Sequence, residues 1–155
     1  LSGEAIAYAR SEAARLGNTN VIFEARDLSD FDTQAEPSRY DFITTFDAVH
    51  DQARPLAVLK GIHRALKPHG VYLMQDIHSH SDLSKNLEHP VGTLLYTVST
   101  LHCMTVSLAQ GGEGLGTMWG REKAIEYLNR AGFGSIKVQQ LAHDFQNDYY
   151  VIRKD

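Results

Sequence analysis

Apolar residues recur at helical spacing at the start of the chain. Ile6, Ala9, Ala13 and Leu16 fall on one side of a helix; Ser2 is placed to cap it, Glu4 suits its first turn, and Gly17 ends it. Residues 21–25 read as a short strand, followed by an acidic turn at 27–30 and a polar loop over 33–39. Residues 40–46 are rich in β-branched and aromatic side chains and predict a second strand. A helix follows over about 53–66, with Leu56, Leu59, Ile62 and Leu66 on one face and Pro68 and Gly70 ending it. Residues 71–75 predict a third strand, and 76–90 are polar and irregular. Residues 91–108 are apolar and read as a helix that covers something. A glycine-rich loop over 111–120 leads to a helix over 122–130 closed by Gly132. Residues 136–141 and 149–153 are the last strands.

Helices alternating with strands imply an α/β fold with a mainly parallel sheet. The last two strands have no helix between them and predict an antiparallel pair. No repeat or linker divides residues 1–155.

Composition narrows the class. Of 155 residues, 43% are hydrophobic and 22% charged, which suits one globular core rather than disorder. The net charge of -4 disfavours a nucleic-acid partner. No apolar run approaches the ~18 residues of a membrane span, and no secretory signal is visible. Cys103 is the single cysteine, so no internal disulfide forms. A cytoplasmic domain is expected. The chain opens on Leu1 directly into a helix signal, as a piece of something longer would.

In open α/β sheets, ligands bind beyond the carboxyl ends of the strands. Here those ends are Asp27-Leu28, then 47–51, then 76–82, and each carries carboxylates. Taken singly, such Asp residues are ordinary turn formers; together they predict a polar small-molecule cleft. His50 follows the second strand and reads as a base or hydrogen-bond orienter, or as a helix cap. Asp51 orients His50 or begins the next helix. Asp51, Asp76 and Trp119 are the candidate substrate contacts, with Trp119 stacking on substrate or anchoring its loop. Cys103 reads as a small core residue. Asp76, His78, His80 and Asp82 offer a rival cluster that resembles the first metal motif of amidohydrolase-type enzymes, the basis for a metal-dependent hydrolase. Such enzymes need further ligands that the downstream sequence lacks, so no residue is assigned to a metal.

Several of these segments resemble class I S-adenosylmethionine-dependent methyltransferases, from the family's second strand onward. Residues 1–9 resemble the helix after the ribose-binding acid, which places the acid one residue before Leu1. Residues 23–28 resemble the third strand and its adenine-binding turn. Residues 40–51 resemble the fourth strand and the motif after it, and the Leu66-Lys67-Pro68-His69-Gly70 run resembles the turn into the fifth. Residues 104–108 and 114–120 resemble a subgroup with an extra N-terminal winged-helix-like region. The resemblance implies a Rossmann-like sheet of order 3-2-1-4-5-7-6, here without strands 1 and 2. It implies S-adenosyl-L-methionine as cofactor, with contacts at Leu1, Asp27, Leu28, Phe46 and Asp47. Asp27 would accept from the adenine amino group, the Leu28 N–H would meet the ring, and Phe46 and Asp47 would hold the methionine end. His50 would be the catalytic residue, and residues 78–120 a lid insertion.

The glycine-rich loop that grips the cofactor in this family has no counterpart. Gly112, Gly114 and Gly116 copy its spacing, but they follow an apolar helix rather than a first strand, and suit a hinge beside a lid. The expected function is methyl transfer to a small molecule by the C-terminal part of a longer enzyme, inactive by itself. The expected partners are the missing N-terminal portion of the protein and the substrate; a homodimer is compatible. The alternatives are the metal-dependent hydrolase and a non-catalytic interaction module that keeps the fold.

Overall fold

The computed structural model describes residues 2–155. Helix α1 (Gly3–Arg15) forms as its caps predict: the Ser2 side chain accepts the Ala5 N–H at 3.1 Å. Its apolar residues stay largely outside the core, with Tyr8 and Leu16 exposed. The strand expected over 21–25 does not form. That stretch is irregular and joins no sheet among the described residues. A β-prone run becomes a strand only when a neighbouring edge satisfies its backbone groups. A one-turn helix α2 (Phe31–Gln34) replaces the start of the predicted polar loop.

The sheet is built from β1 (Tyr40–Phe46), β2 (Leu66–Ile77), β3 (Ser135–Leu141) and β4 (Asp144–Arg153). Its order is β1-β2-β4-β3, with β1 and β2 parallel and the other two pairings antiparallel. This is the 4-5-7-6 half of the order the resemblance implies, in a Rossmann-like α/β sheet. Strand β2 starts five residues earlier than the pattern predicts. Tyr40 pairs with Leu66, and the register then jumps to Phe42 opposite Val71. Residues 67–70 are the extra length, so the Leu-Lys-Pro-His-Gly run is a bulge in the strand rather than a free turn.

Helices α3 (Pro55–Ala65) and α6 (Arg121–Ala131) cover one face of the sheet. Pro55 opens α3, where its missing N–H costs nothing. Gly132 closes α6 at φ 102°, a left-handed position that a side chain resists. Val58, Leu59 and Ile62 from α3 and Leu128 from α6 pack on Tyr72, Met74, Tyr150 and Ile152 of the sheet. Each such burial contributes about 1.5–3 kcal/mol.

The predicted covering helix is one continuous stretch in three parts. These are α4 (Gly92–Val98), a wider π turn (Ser99–Cys103) and α5 (Met104–Ala109). Ile77, Leu95 and Met118 form a small second core beneath it. No helix among the described residues is long and apolar enough to cross a membrane.

Candidate functional site

The period-two alternation that aims Tyr72 and Met74 into the core also aims Asp76 inward, at the carboxyl end of β2. On β4 the same alternation brings in Ile152, Tyr150 and then Asp148. Asp76 and Asp148 are direct cross-strand partners, and both are fully buried. Like charges opposite one another repel, so each needs its own cation or donor.

Asp148 has Arg121, at the start of α6. The guanidinium donates to both carboxylate oxygens, at 2.7 and 2.9 Å, and Asp148 holds the arginine pKa above its usual value. His78 adds a contact at 3.1 Å. Asp76 has His50. The His50 Nδ1 lies 2.7 Å from Asp76 Oδ1, which also accepts the Ile77 N–H. A carboxylate only accepts, so Nδ1 carries a proton, and in the neutral imidazole Nε2 holds a lone pair. Burial draws the imidazole pKa down. The Asp76 hydrogen bond and charge, with the charges of Asp51 and Asp47, outweigh it and leave the pKa raised.

Asp76 therefore stands behind His50 rather than on the wall of a cleft, which corrects its expected place among the substrate contacts. Trp119 is also displaced from that role. It is 5% exposed, within the main core, and meets Tyr127 edge-on at 6.0 Å between centroids. This packing suits the loop-anchor reading of the two.

Nε2 of His50 lies beside Asp51, and Cys103 completes a cluster whose polar atoms are within 4.8 Å of one another. Asp51 Oδ1 lies 3.4 Å from Nε2 yet is buried without a hydrogen-bond partner. The distance is within ion-pair range, but a hydrogen bond between them is not made. Cys103 comes from the π turn of the covering helix, and its Sγ is 2.9 Å from Thr117 Oγ1. Burial and the neighbouring Asp51 push its thiol pKa up.

Asp51 also lines a cavity of about 440 Å³ shared with Asp27, Leu28, Gln52 and Val106. The cavity thus joins the turn at residues 27–28 to the segment after β1. The Asp27 Oδ1 accepts both the Ser29 N–H and hydroxyl, which lowers the Asp27 pKa. Phe46 and Asp47 do not line this cavity. Phe46 is exposed; Asp47 sits at φ 44°, accepts from the Gln75 side chain and gives its N–H to the Gln75 carbonyl. Burial raises the Asp47 pKa against that hydrogen bond. Leu1 lies outside the described residues. A larger cavity, about 550 Å³, runs along Leu83, Leu87, Tyr96 and Leu101 and includes none of the expected site residues. Titratable groups at strand ends favour the smaller one as the site.

The rival metal cluster comes apart. Asp76 is engaged by His50, His78 by Asp148, and His80 by Glu122 at 2.8 Å. The sequence reading missed both the Asp76–His50 and the Asp148–Arg121 pairs. The signal for the second was present: Asp148 occupies a core position in the alternation of Asp148, Tyr150 and Ile152.

A family model described as "Methyltransferase domain" matches residues 1–132. No curated protein matches the chain. Among solved structures, "PigF with SAH" superposes with a TM-score of 0.71 at 19% identity, over 98% of this chain and 41% of that one. An O-methyltransferase family protein from Burkholderia thailandensis gives 0.69 at 15% identity, over 95% and 40%. The trans-methyltransferase CalH complex with SAH gives 0.65 at 20% identity, over 95% and 40%. The chain spans about two fifths of the length of these three structures.

Proposed function

We propose, for a chain that belongs to the methyltransferase domain family, that it forms the acceptor-side half of an S-adenosyl-L-methionine-dependent enzyme acting on a small molecule. The observation that carries the reading is the buried His50–Asp76 pair at the strand ends, beside the cavity that holds Asp27, Leu28 and Asp51. Two of the solved structures with this fold are described as holding SAH, the demethylated form of that cofactor.

The residues present suit the adenosine end of the cofactor. Asp27 and Leu28 lie on the cavity wall, where an acceptor carboxylate and a backbone N–H can read an adenine edge. The cofactor supplies an activated methyl group when bound. Asp76 holds the His50 proton on Nδ1, which keeps Nε2 as an acceptor for the proton of an attacking hydroxyl, amine or thiol. Asp51 stands beside Nε2 and adds negative charge that favours the imidazolium formed. Cys103 belongs to the same cluster and comes from the covering segment, which on this reading opens to admit an acceptor and closes to exclude water.

Residues 1–155 are read as a partial catalytic domain with a lid over 78–120. Support comes from the share of the solved structures it spans and from the free side of β1, where Tyr40, Phe42 and Phe46 are exposed. The partner is a further portion of the same protein, in the cytoplasm, and the chain without it transfers no methyl group.

The test is transfer of labelled methyl from S-adenosyl-L-methionine to a pooled small-molecule extract by the whole protein. His50→Gln should lower transfer by about 10²–10⁴-fold with cofactor binding retained. Equal transfer by the variant removes His50 from the mechanism. Cofactor binding with no transfer by the unsubstituted protein supports the non-catalytic module instead.

A further inference from the structure

The Nε2 of His50 and Oδ1 of Asp51 face each other at 3.4 Å, and Oδ1 has no hydrogen-bond partner. With the imidazole neutral and its proton on Nδ1, these are two acceptors held close together, and they repel unless something positive lies between them. The Sγ of Cys103 completes a group of three atoms, all within 4.8 Å of one another, supplied by two buried side chains and one half-buried one. Among the described residues this is the one such group of potential metal ligands.

We propose that His50, Asp51 and Cys103 bind a divalent cation of the zinc class. Zinc takes imidazole, carboxylate and thiolate ligands at about 2.0–2.3 Å in a tetrahedron, which sets nitrogen and oxygen ligands about 3.3 Å apart. The observed 3.4 Å between Nε2 and Oδ1 matches that separation. The soft thiolate selects zinc or cobalt over magnesium or calcium. The surroundings are those of a metal ligand set as well. Asp76 takes the Nδ1–H of His50, the carboxylate–histidine arrangement that fixes a ligating imidazole and raises its basicity. Thr117 sits 2.9 Å from the sulfur. Binding displaces the thiol proton of Cys103 to solvent, so the thiolate–metal bond replaces the S–H bond with no change in oxidation state. Three protein ligands leave a fourth coordination position for water or another ligand.

This site revises the assignment of no metal ligand from sequence and stands apart from the His78 and His80 loop. Its occupancy has a consequence for the transfer reading. An ion on Nε2 takes the lone pair that would accept a proton, so metal and base function exclude each other at that atom.

The test is a titration of the chain with Co²⁺, followed by absorption, and with Zn²⁺ in competition with a chromophoric chelator. One ion should bind per chain, and the Co²⁺ form should show sulfur-to-cobalt charge-transfer absorption. Cys103→Ser should abolish that absorption and weaken Zn²⁺ binding by about tenfold or more, as should Asp51→Ala for affinity. His78→Ala and His80→Ala should leave both readouts unchanged. Co²⁺ binding without the sulfur band, or Zn²⁺ bound as tightly by Cys103→Ser as by the unsubstituted chain, overturns the proposal. The spectrum of the unsubstituted chain decides the matter even if a variant fails to fold. No cofactor or acceptor is present in these titrations, so their failure leaves the methyl-transfer reading standing.

Discussion

Two buried acids on neighbouring strands organise the site. Asp76 and Asp148 face inward from paired positions, and each is tied to a separate basic group, His50 or Arg121. The second pair anchors the start of α6, where a further acid, Glu122, reaches back to the loop after β2. Glu122 accepts from the Ser81 N–H at 2.8 Å and contacts the His80 ring. The His80 hydrogen bond, then that of Ser81, pulls its pKa down to about 2. A carboxylate whose folded pKa lies below its unfolded value of 4.5 adds stability above that value and loses it as pH falls toward 2. Glu122 is largely exposed, so solvent screening limits the effect to about 1 kcal/mol at most. Denaturant unfolding of Glu122→Gln against the unsubstituted chain should show a gap at neutral pH that closes between pH 4.5 and 2. A gap constant over that range removes the loop tie from the stability account. The sequence displayed all four charged residues but not their pairing. Asp76 and Asp148 lie far apart in the chain, and only the antiparallel register of β2 and β4 sets them side by side.

At the scale of elements, the covering helix carries Cys103 to His50 and Asp51. Its far end is stitched to the segment after β1. The Glu113 N–H donates to the Ala53 carbonyl at 3.1 Å, and the Ser107 hydroxyl to the Gln52 carbonyl at 3.1 Å. Gly112 lies against the Ala53 backbone, where a Cβ would overlap Ala53. Glycine is needed here for close approach, which explains one of the three glycines whose spacing imitates a phosphate-cradling loop. Gly112→Ala should force this end of the lid outward at about 1–3 kcal/mol, read as a lower unfolding midpoint and faster proteolytic cleavage within 99–117. Unchanged cleavage would mean that the contact does not hold the lid shut. Local apolar periodicity sufficed to place α1, α3 and α6, although Pro68 and Gly70, read as the end of α3, lie within β2. The π turn was not legible, because it depends on how Cys103 and Ser99 meet the 116–118 segment below, with Ser99 Oγ accepting the Thr117 N–H at 3.0 Å.

At the scale of the whole molecule, the fold is well packed on one side of β2 and open on the other. The second half of the Rossmann-like order is present as β1-β2-β4-β3, and the β4–β3 hairpin makes two of its three pairings antiparallel. The run 21–25 had the composition of a strand but no edge to join, since a strand's partner is a property of the sheet and not of the run itself. Exposed Tyr40, Phe42 and Phe46 mark β1 as the side on which the account places further strands. On the proposed reading that portion would complete the cofactor site, with Asp27 and Leu28 on its adenine side. The most direct measurement is calorimetric titration of S-adenosyl-L-methionine into three proteins: residues 1–155 alone, the whole protein that contains them, and its Asp27→Ala variant. The account predicts micromolar binding by the whole protein, binding weaker by about tenfold in the variant for one lost hydrogen bond to an ionised acceptor, and little binding by residues 1–155 alone. Micromolar binding by residues 1–155 alone, or equal binding by Asp27→Ala, would contradict it.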